Sequence, residues 1–226
     1  MSSYENAFIF TDDVSVIERG KNCNVATFTV ATNYPERFNL EGVTAYKIVK
    51  TEGDVVGDFL FLPSLTDEKT VDAVIDKVLG DNAKLIVSAC YSLDEIGLIY
   101  VKYHLSPVQL LHKLGLLEKC TVVGGVYLDR DDVDLMSQCG TALVLCPTSS
   151  MGYGYGIPHF CAYENKLNVK LGSGDNRFNC NGDMIAEARA LVLGVNSEMR
   201  GQVLSAEKAI ALIGGNAHNA YKKLFG

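Results

Sequence analysis

No run of lysines and arginines occurs anywhere in this chain, and its formal net charge is −7 with a pI near 5.1. Phosphate backbones demand a clustered excess of basic side chains, so a nucleic-acid partner is excluded. No apolar run approaches the roughly 20 residues that span a bilayer. The opening MSSYENAFIF lacks the basic segment and long apolar stretch of a signal peptide. No membrane partner is therefore expected. None of the cysteines, at 23, 90, 120, 139, 146, 161 and 180, stands in Cys-x-x-Cys spacing, and their number is odd. Several lie in apolar runs such as ALVLC, where cysteine behaves as a small buried hydrophobe. A reduced, cytoplasmic chain is expected. Low-complexity segments are lacking and prolines number only five, so nothing marks a linker, and residues 1–226 read as a single domain.

What the sequence does hold is a core and a rhythm. Hydrophobic residues make up 48% and charged residues 21%, a globular balance. From about Phe59 onward, short β-rich apolar runs occur at DFLFLPS, AKLIVSACYS, CTVVGGVYL, TALVLCPTS and NVKLGSGD. Between them lie helical spacings. DEKTVDAVIDKVLG puts Val71, Val74, Ile75 and Val78 on one face, and SPVQLLHKLGLL does so with Val108, Leu111, Leu114 and Leu117. DRDDVDLMSQCG opens on Asp129 as an N-cap and closes on Gly140. NGDMIAEARALVLGV and SAEKAIALIGGNAHNAYKKLF predict two more helices.

Alternating strands and helices with nearly continuous apolar strands imply a parallel sheet buried on both faces, which a barrel or a doubly wound sheet satisfies. In the first third, NAFIFTD, NVATFTVATN and VTAYKIVKT read as strands joined by segments too short for full crossover helices. Three plus five makes eight, the number that closes a TIM-type (β/α)8 barrel. The expected fold is that barrel, shortened and irregular in its first third. A long loop rich in glycine and tyrosine, PTSSMGYGYGIPHFCAYENKL, follows the seventh strand.

SPVQLLHKLGLLEK, LDRDDVDLMSQCGTALVLCPTSSMGYGYGIP, NVKLGSGDNRFNCNGDMIAEARALVL and LSAEKAIALIGGNAH, in this order and spacing, resemble the amidohydrolase superfamily. Within it the likeness is to the branch of chlorohydrolases, guanine deaminases and adenosine-type deaminases. It covers about Phe59 to Phe225 and rests most on the Cys-Pro-Thr-Ser run and the Gly-Asp-Met…Glu…Arg pattern. The resemblance implies a barrel whose strand ends hold a divalent metal that activates water against a C–N or C–Cl bond. It also implies a small β-sandwich, for which no segment is evident here. The family's fifth strand ends in a histidine with a glutamate three residues on, where this chain has Ser88 and Tyr91. At the sixth strand's two histidines stand Gly124 and Tyr127. At the eighth strand's aspartate stands Gly174, with Asp175 one residue late, and the first strand's His-x-His has no counterpart. The resemblance thus implies a degenerate member without the metal ligands, and neither a metal nor another cofactor is expected.

No other constellation replaces them. The histidines are His104, His112, His159 and His218, and a zinc site takes three or four ligands. Only His159, in the long loop, is placed to reach the barrel mouth. Ser88 and Cys90 lie at a strand end without a base at the spacing of a nucleophilic enzyme. Ser149 and the tyrosines Tyr153 and Tyr155 fall in the seventh loop. The candidate ligand pocket is therefore Ser88, Cys90, Tyr91, Gly124, Tyr127, Ser149, His159, Gly174 and Asp175, with no catalytic residue assigned. The expected function is a small-molecule binder or partner subunit that has lost metal-dependent hydrolysis, a homo-oligomer or a hetero-oligomer with an active paralogue. One alternative is an active hydrolase or deaminase on C–N bonds with a relocated or metal-free site. The other is phosphate-ligand binding by the seventh and eighth loops, MGYGYG and GSGDN.

Overall fold

The computed structural model describes residues 3–215 and 218–226. Its strands are β1 (Tyr4–Phe10), β2 (Val25–Thr32), β3 (Val43–Ile48), β4 (Phe59–Leu62), β5 (Lys84–Ala89), β6 (Cys120–Gly124), β7 (Ala142–Leu145), β8 (Val169–Leu171) and β9 (Gly174–Asp175). Among the described residues every pairing is parallel, and the sheet runs β8-β7-β6-β5-β4-β3-β2-β1-β9. β8 pairs with β7 while β9, two residues further along, pairs with β1. The curled sheet therefore meets itself, and 169–175 serves as one interrupted eighth strand. That removes the doubly wound alternative.

The seam at Gly172 and Ser173 is held by a side chain in place of the ladder. Asn6, fully buried, donates from Nδ2 to Ser173 Oγ at 2.8 Å and accepts from Ser173 N at 3.1 Å. A buried amide left unpaired costs more than it gains, so both of its ends are used. Gly172 lies so close to the backbone of Phe8 that no Cβ fits there.

The period-2 alternation of the strands sorts side chains between two cores. Ile9, Leu60, Leu62, Leu85, Val87 and Ala89 face the helices, whereas Phe8, Ile48, Phe61, Ile86 and Val144 fill the interior. Ser88 shares the parity of Ile86 and faces the mouth formed by the C-terminal strand ends.

The helices are α1 (Ser15–Asn22), α2 (Glu68–Asp81), α3 (Leu93–Tyr103), α4 (Pro107–Lys113), α5 (Arg130–Cys139), α6 (Pro147–Gly152), α7 (Met184–Glu198), α8 (Ala206–Ala211) and α9 (Ala220–Phe225). As expected, Asp129 caps α5, accepting from Asp132 N at 2.8 Å, and Gly140 ends it at φ +68°. β2–β3 and β3–β4 are bridged by single 3₁₀ turns at Pro35–Phe38 and Glu52–Asp54. Several helices depart from expectation. The last predicted helix is two, α8 and α9, because Gly214 at φ +72° breaks it. Gly115 at φ +71° likewise ends the 107–117 segment early, leaving Leu117 in a 3₁₀ turn. The long seventh loop begins with α6, and α1 and α3 are further unforeseen helices. No helix among the described residues is long and apolar enough to cross a membrane.

Candidate functional site at the barrel mouth

A cavity of about 390 Å³ opens at the C-terminal strand ends. Phe8, Phe10 and Phe61 form its floor, Tyr91, Tyr153 and Tyr155 its wall, and Ser88, Ser149, Ser150, Asp175 and Arg177 supply polar groups. Of the sequence candidates, Ser88, Tyr91, Gly124, Ser149, Gly174 and Asp175 meet here. Barrel sites are built at this face.

Three candidates do not line it. Cys90 is completely buried and sits in the helix-facing core, because φ +54° turns it away from the interior. Burial, with Asp132 and Glu95 adding to it, holds its thiol well above the ordinary value, so it is no nucleophile at neutral pH. Tyr127 is half-buried, and its hydroxyl donates to the Tyr155 carbonyl at 2.6 Å, so it supports the wall from behind. His159 lies exposed beside Pro158, Val195 and Met199, away from the mouth.

Asp175 is the one carboxylate in the lining. Its side chain is 8% exposed, while that of its partner Arg177 is 67% exposed. Arg177 donates from Nε to both carboxylate oxygens at 3.0 Å and from a terminal nitrogen at 2.6 Å, and its backbone N–H donates at 2.9 Å. The Tyr153 hydroxyl bonds the same carboxylate and also receives the guanidinium. Burial pushes the Asp175 carboxyl up, but the Arg177 and Tyr153 hydrogen bonds outweigh it and leave it below the ordinary value. Asp175 is thus an anion whose acceptor capacity is already engaged. Arg177 escaped the sequence reading because only the fold brings residues 153, 175 and 177 together. Phe8 and Phe10 were legible in the alternation of NAFIF but were not singled out.

The tyrosine wall is a stack. Tyr153 and Tyr155 lie 5.4 Å apart at 20°, Tyr91 approaches Tyr155 at 5.5 Å, and Phe178 meets Tyr153 edge-on at 4.8 Å. Burial, Glu95 and Tyr155 together push the Tyr91 phenol up to about 12, so it stays neutral and serves as a donor. Flat, uncharged faces over an aromatic floor suit a planar ring.

The residues present do not fit a catalytic divalent metal. Among the described residues no three His, Cys, Asp or Glu side chains converge. The backbone itself resists restoration. Gly124 sits at φ +116°, and a Cβ there would lie 2.9 Å from the Ala89 carbonyl oxygen and 3.0 Å from Tyr91 Cβ. Gly174 sits at φ +65°, where a Cβ would strike Ser149 and come within 2.9 Å of Cys146 Cβ.

The Gly-Asp-Met…Glu pattern has a structural use. Asp183 caps α7, accepting from Ile185 N at 2.9 Å. Glu187, fully buried, accepts from Thr148 N at 3.1 Å and Asn179 Nδ2 at 2.8 Å, which ties α7 to α6 and to the loop after β9. Burial pushes its carboxyl up to about 7 against those hydrogen bonds.

No family model matches the chain. It is 36% identical over 149 residues to a 5-methylthioadenosine/S-adenosylhomocysteine deaminase of Pyrococcus abyssi, covering 64% of this chain and 35% of that protein. With the deaminase of the same name from Thermococcus onnurineus it shares 25% over 202 residues, 85% of this chain and 48% of that one. In structure it matches a zinc-bound adenosine deaminase from Xanthomonas campestris at TM-score 0.74 and 12% identity, over 94% of this chain and 65% of that chain. Guanine deaminase of E. coli matches at TM-score 0.70 and 13% identity, over 99% and 68%. The chain belongs to the amidohydrolase superfamily. The resemblance carried by the Cys-Pro-Thr-Ser and Gly-Asp-Met segments is thereby established, and the curled parallel sheet is the amidohydrolase TIM-type fold. The chain spans about a third of the length of the first curated relatives, 35% and 32% of them. Those relatives are deaminases by name, which favours the C–N hydrolase alternative over the expectation of lost activity.

Proposed function

We propose that this amidohydrolase-type barrel binds a small planar nitrogen heterocycle, of the adenosine type that its relatives' names specify, at the tyrosine-walled mouth. The metal-assisted hydrolysis of the lineage is absent from that mouth. The observation that carries the reading is the pair Gly124 and Gly174, where positive φ and crowding by Tyr91 and Ser149 leave no room for a ligating side chain. Residues 1–226 act as one barrel unit, with the connections of the first third reduced to single turns. A reduced, cytoplasmic setting belongs to the same proposal.

A second reading, hydrolysis of a C–N bond at a relocated or metal-free site, is favoured by the relatives' names. Asp175 is the charged group such a site would have to use, and it is tied to Arg177 and Tyr153. The phosphate alternative has less to build on. The Thr148 amide at the start of α6, where an anion would dock, is taken by the Glu187 carboxyl at 3.1 Å.

Purified protein assayed for bound metal, for melting shift with 5-methylthioadenosine and S-adenosylhomocysteine, and for ammonia release separates the readings. The first expects a melting shift without ammonia or stoichiometric metal. Ammonia release establishes the second reading in its place. One equivalent of tightly held zinc sinks the steric argument at residues 124 and 174.

A further inference from the structure

The polar side chains of the mouth divide into two sets. Asp175, Tyr153 and Ser149 are committed to protein partners: the carboxylate to Arg177 and Tyr153, the phenol to Asp175 and Arg177, and the Ser149 hydroxyl to the Asp175 amide and the Ser173 carbonyl. Ser88 and Ser150 line the same cavity, and their hydroxyls make no hydrogen bond among the described residues. Neither oxygen is among the sealed, unpartnered atoms of the interior, so both open on the cavity. Ser88 stands level with Val123 of β6 and, through it, with Val144 of β7, and both of these belong to the apolar interior. A hydroxyl in that row serves no packing need that a valine would not serve better. Ser150 is 7% exposed. Its N–H donates to the Cys146 carbonyl at 2.9 Å and its own carbonyl accepts from Tyr155 N at 2.8 Å, which fixes the backbone and leaves the hydroxyl open.

What these two groups share is ambivalence. A hydroxyl turns to donate or to accept, whereas a carboxylate only accepts and a guanidinium only donates. A planar nitrogen heterocycle presents one of two inverse edges: an amino group beside a bare ring nitrogen, or an oxo group beside a ring N–H. A fixed donor or acceptor tells them apart, because the wrong edge leaves it unpaired. The mouth has no such group to spare. Asp175 is engaged, and Arg177 stays at the rim, 67% exposed, with its guanidinium carbon 5.4 Å from the centre of the Tyr153 ring. We infer that Ser88 and Ser150 read the edge of the ring, an inference resting on the proposed reading that such a ring fills the mouth, and that the site takes the amino and oxo forms of one heterocycle alike. The tyrosine wall selects for flatness and aromatic character, and the two serines satisfy either edge. The protein then responds to the ring and not to its state of amination.

Calorimetric titration of the whole chain with 5-methylthioadenosine and with 5-methylthioinosine, which differ only at that edge, tests it. The expected dissociation constants lie within about fivefold of each other. Ser88→Ala and Ser150→Ala should each weaken both ligands together by roughly three- to tenfold, the worth of one neutral hydrogen bond. Neither should lower the melting temperature of the ligand-free chain, since neither hydroxyl has a protein partner to lose. Two rings that both bind but differ by more than about fivefold overturn the inference and leave the proposed function standing. So do serine variants that bind both rings as the parent does. Binding of neither ring removes the proposed function, and the inference falls with it.

Discussion

Ser149 occupies the space that a side chain at residue 174 would need. Its Oγ accepts from Asp175 N at 2.8 Å and donates to the Ser173 carbonyl at 3.1 Å, closing the turn around Gly174 at φ +65°. A carboxylate at residue 174 would therefore have to displace Ser149 and the start of α6. Gly174→Asp is expected to cost about 2–4 kcal/mol through left-handed backbone and overpacking. Ser149→Ala in that background should recover part of it. Urea unfolding measures both, and a Gly174→Asp protein as stable as its parent would show the site to be more accommodating than argued.

The Asp175–Arg177 pair fixes a pH dependence. Asp175 titrates below its ordinary value in the folded chain, so its contribution is complete above the unfolded value of about 3.9 and is lost as pH falls through the folded one. Arg177→Met removes the guanidinium donors and the opposing charge but leaves the Tyr153 hydroxyl and the backbone N–H of residue 177 on the carboxylate, so the carboxyl should rise from its folded value. The acid-side loss of stability should then be smaller than in the parent. An NMR titration of the Asp175 carboxyl carbon reads the rise directly, and an unchanged midpoint would contradict it.

How far the strand ends could be read depended on which forces set them. The alternation of β5 placed Ser88 at the mouth correctly, because side-chain parity follows from chain geometry alone. Cys90 was placed there too and is not, since a left-handed residue at a strand end reverses parity and no glycine announced it. The α3 helix escaped a search for amphipathic spacing because it buries the charged Glu95 while exposing Leu93, Leu98 and Val101, the reverse of the usual sorting. Arg177 and Tyr153 meet because the loops after the neighbouring strands β7 and β8–β9 lie side by side, a contact between separate segments that no local pattern encodes. By contrast, Asp129, Gly140 and the apolar stripe of α2 were legible because capping and burial are local or periodic.

Glu95 should make the chain less stable in mild alkali. It is 3% exposed, accepts from Tyr91 N at 3.1 Å, and its Oε1 has no hydrogen-bond partner among the described residues. Burial pushes its carboxyl up to about 8 against the backbone hydrogen bonds of Tyr91, Cys90 and Ser92. A raised acid contributes fully below its unfolded value and loses that contribution as pH rises. Stability should drop by about 1.4 kcal/mol per pH unit between the two values and level off near the folded one. Glu95→Gln, neutral throughout, should abolish this component and leave the part due to Glu187, which ends near 7. Parallel pH-dependent slopes for parent and variant would show that Glu95 is ionised in the fold.

Tyr127 controls the tyrosine wall through a backbone atom, which makes its prediction separable from ring chemistry. Its hydroxyl donates to the Tyr155 carbonyl at 2.6 Å and so sets the height of the Tyr155 ring between Tyr91 and Tyr153. Tyr127→Phe keeps the packing and deletes one hydrogen bond, for an expected loss of about 1 kcal/mol in stability. Because the carbonyl belongs to the main chain, Tyr155→Phe should leave that bond and the stability intact, while Tyr155→Ala should remove about 1–3 kcal/mol of stacking from any aromatic ligand. Tyr127→Phe should weaken the same ligand less than Tyr155→Ala does, through displacement of the ring rather than its loss. Calorimetric titration with 5-methylthioadenosine across the three variants gives that order, and equal affinities in all three would place the ligand elsewhere than against this wall.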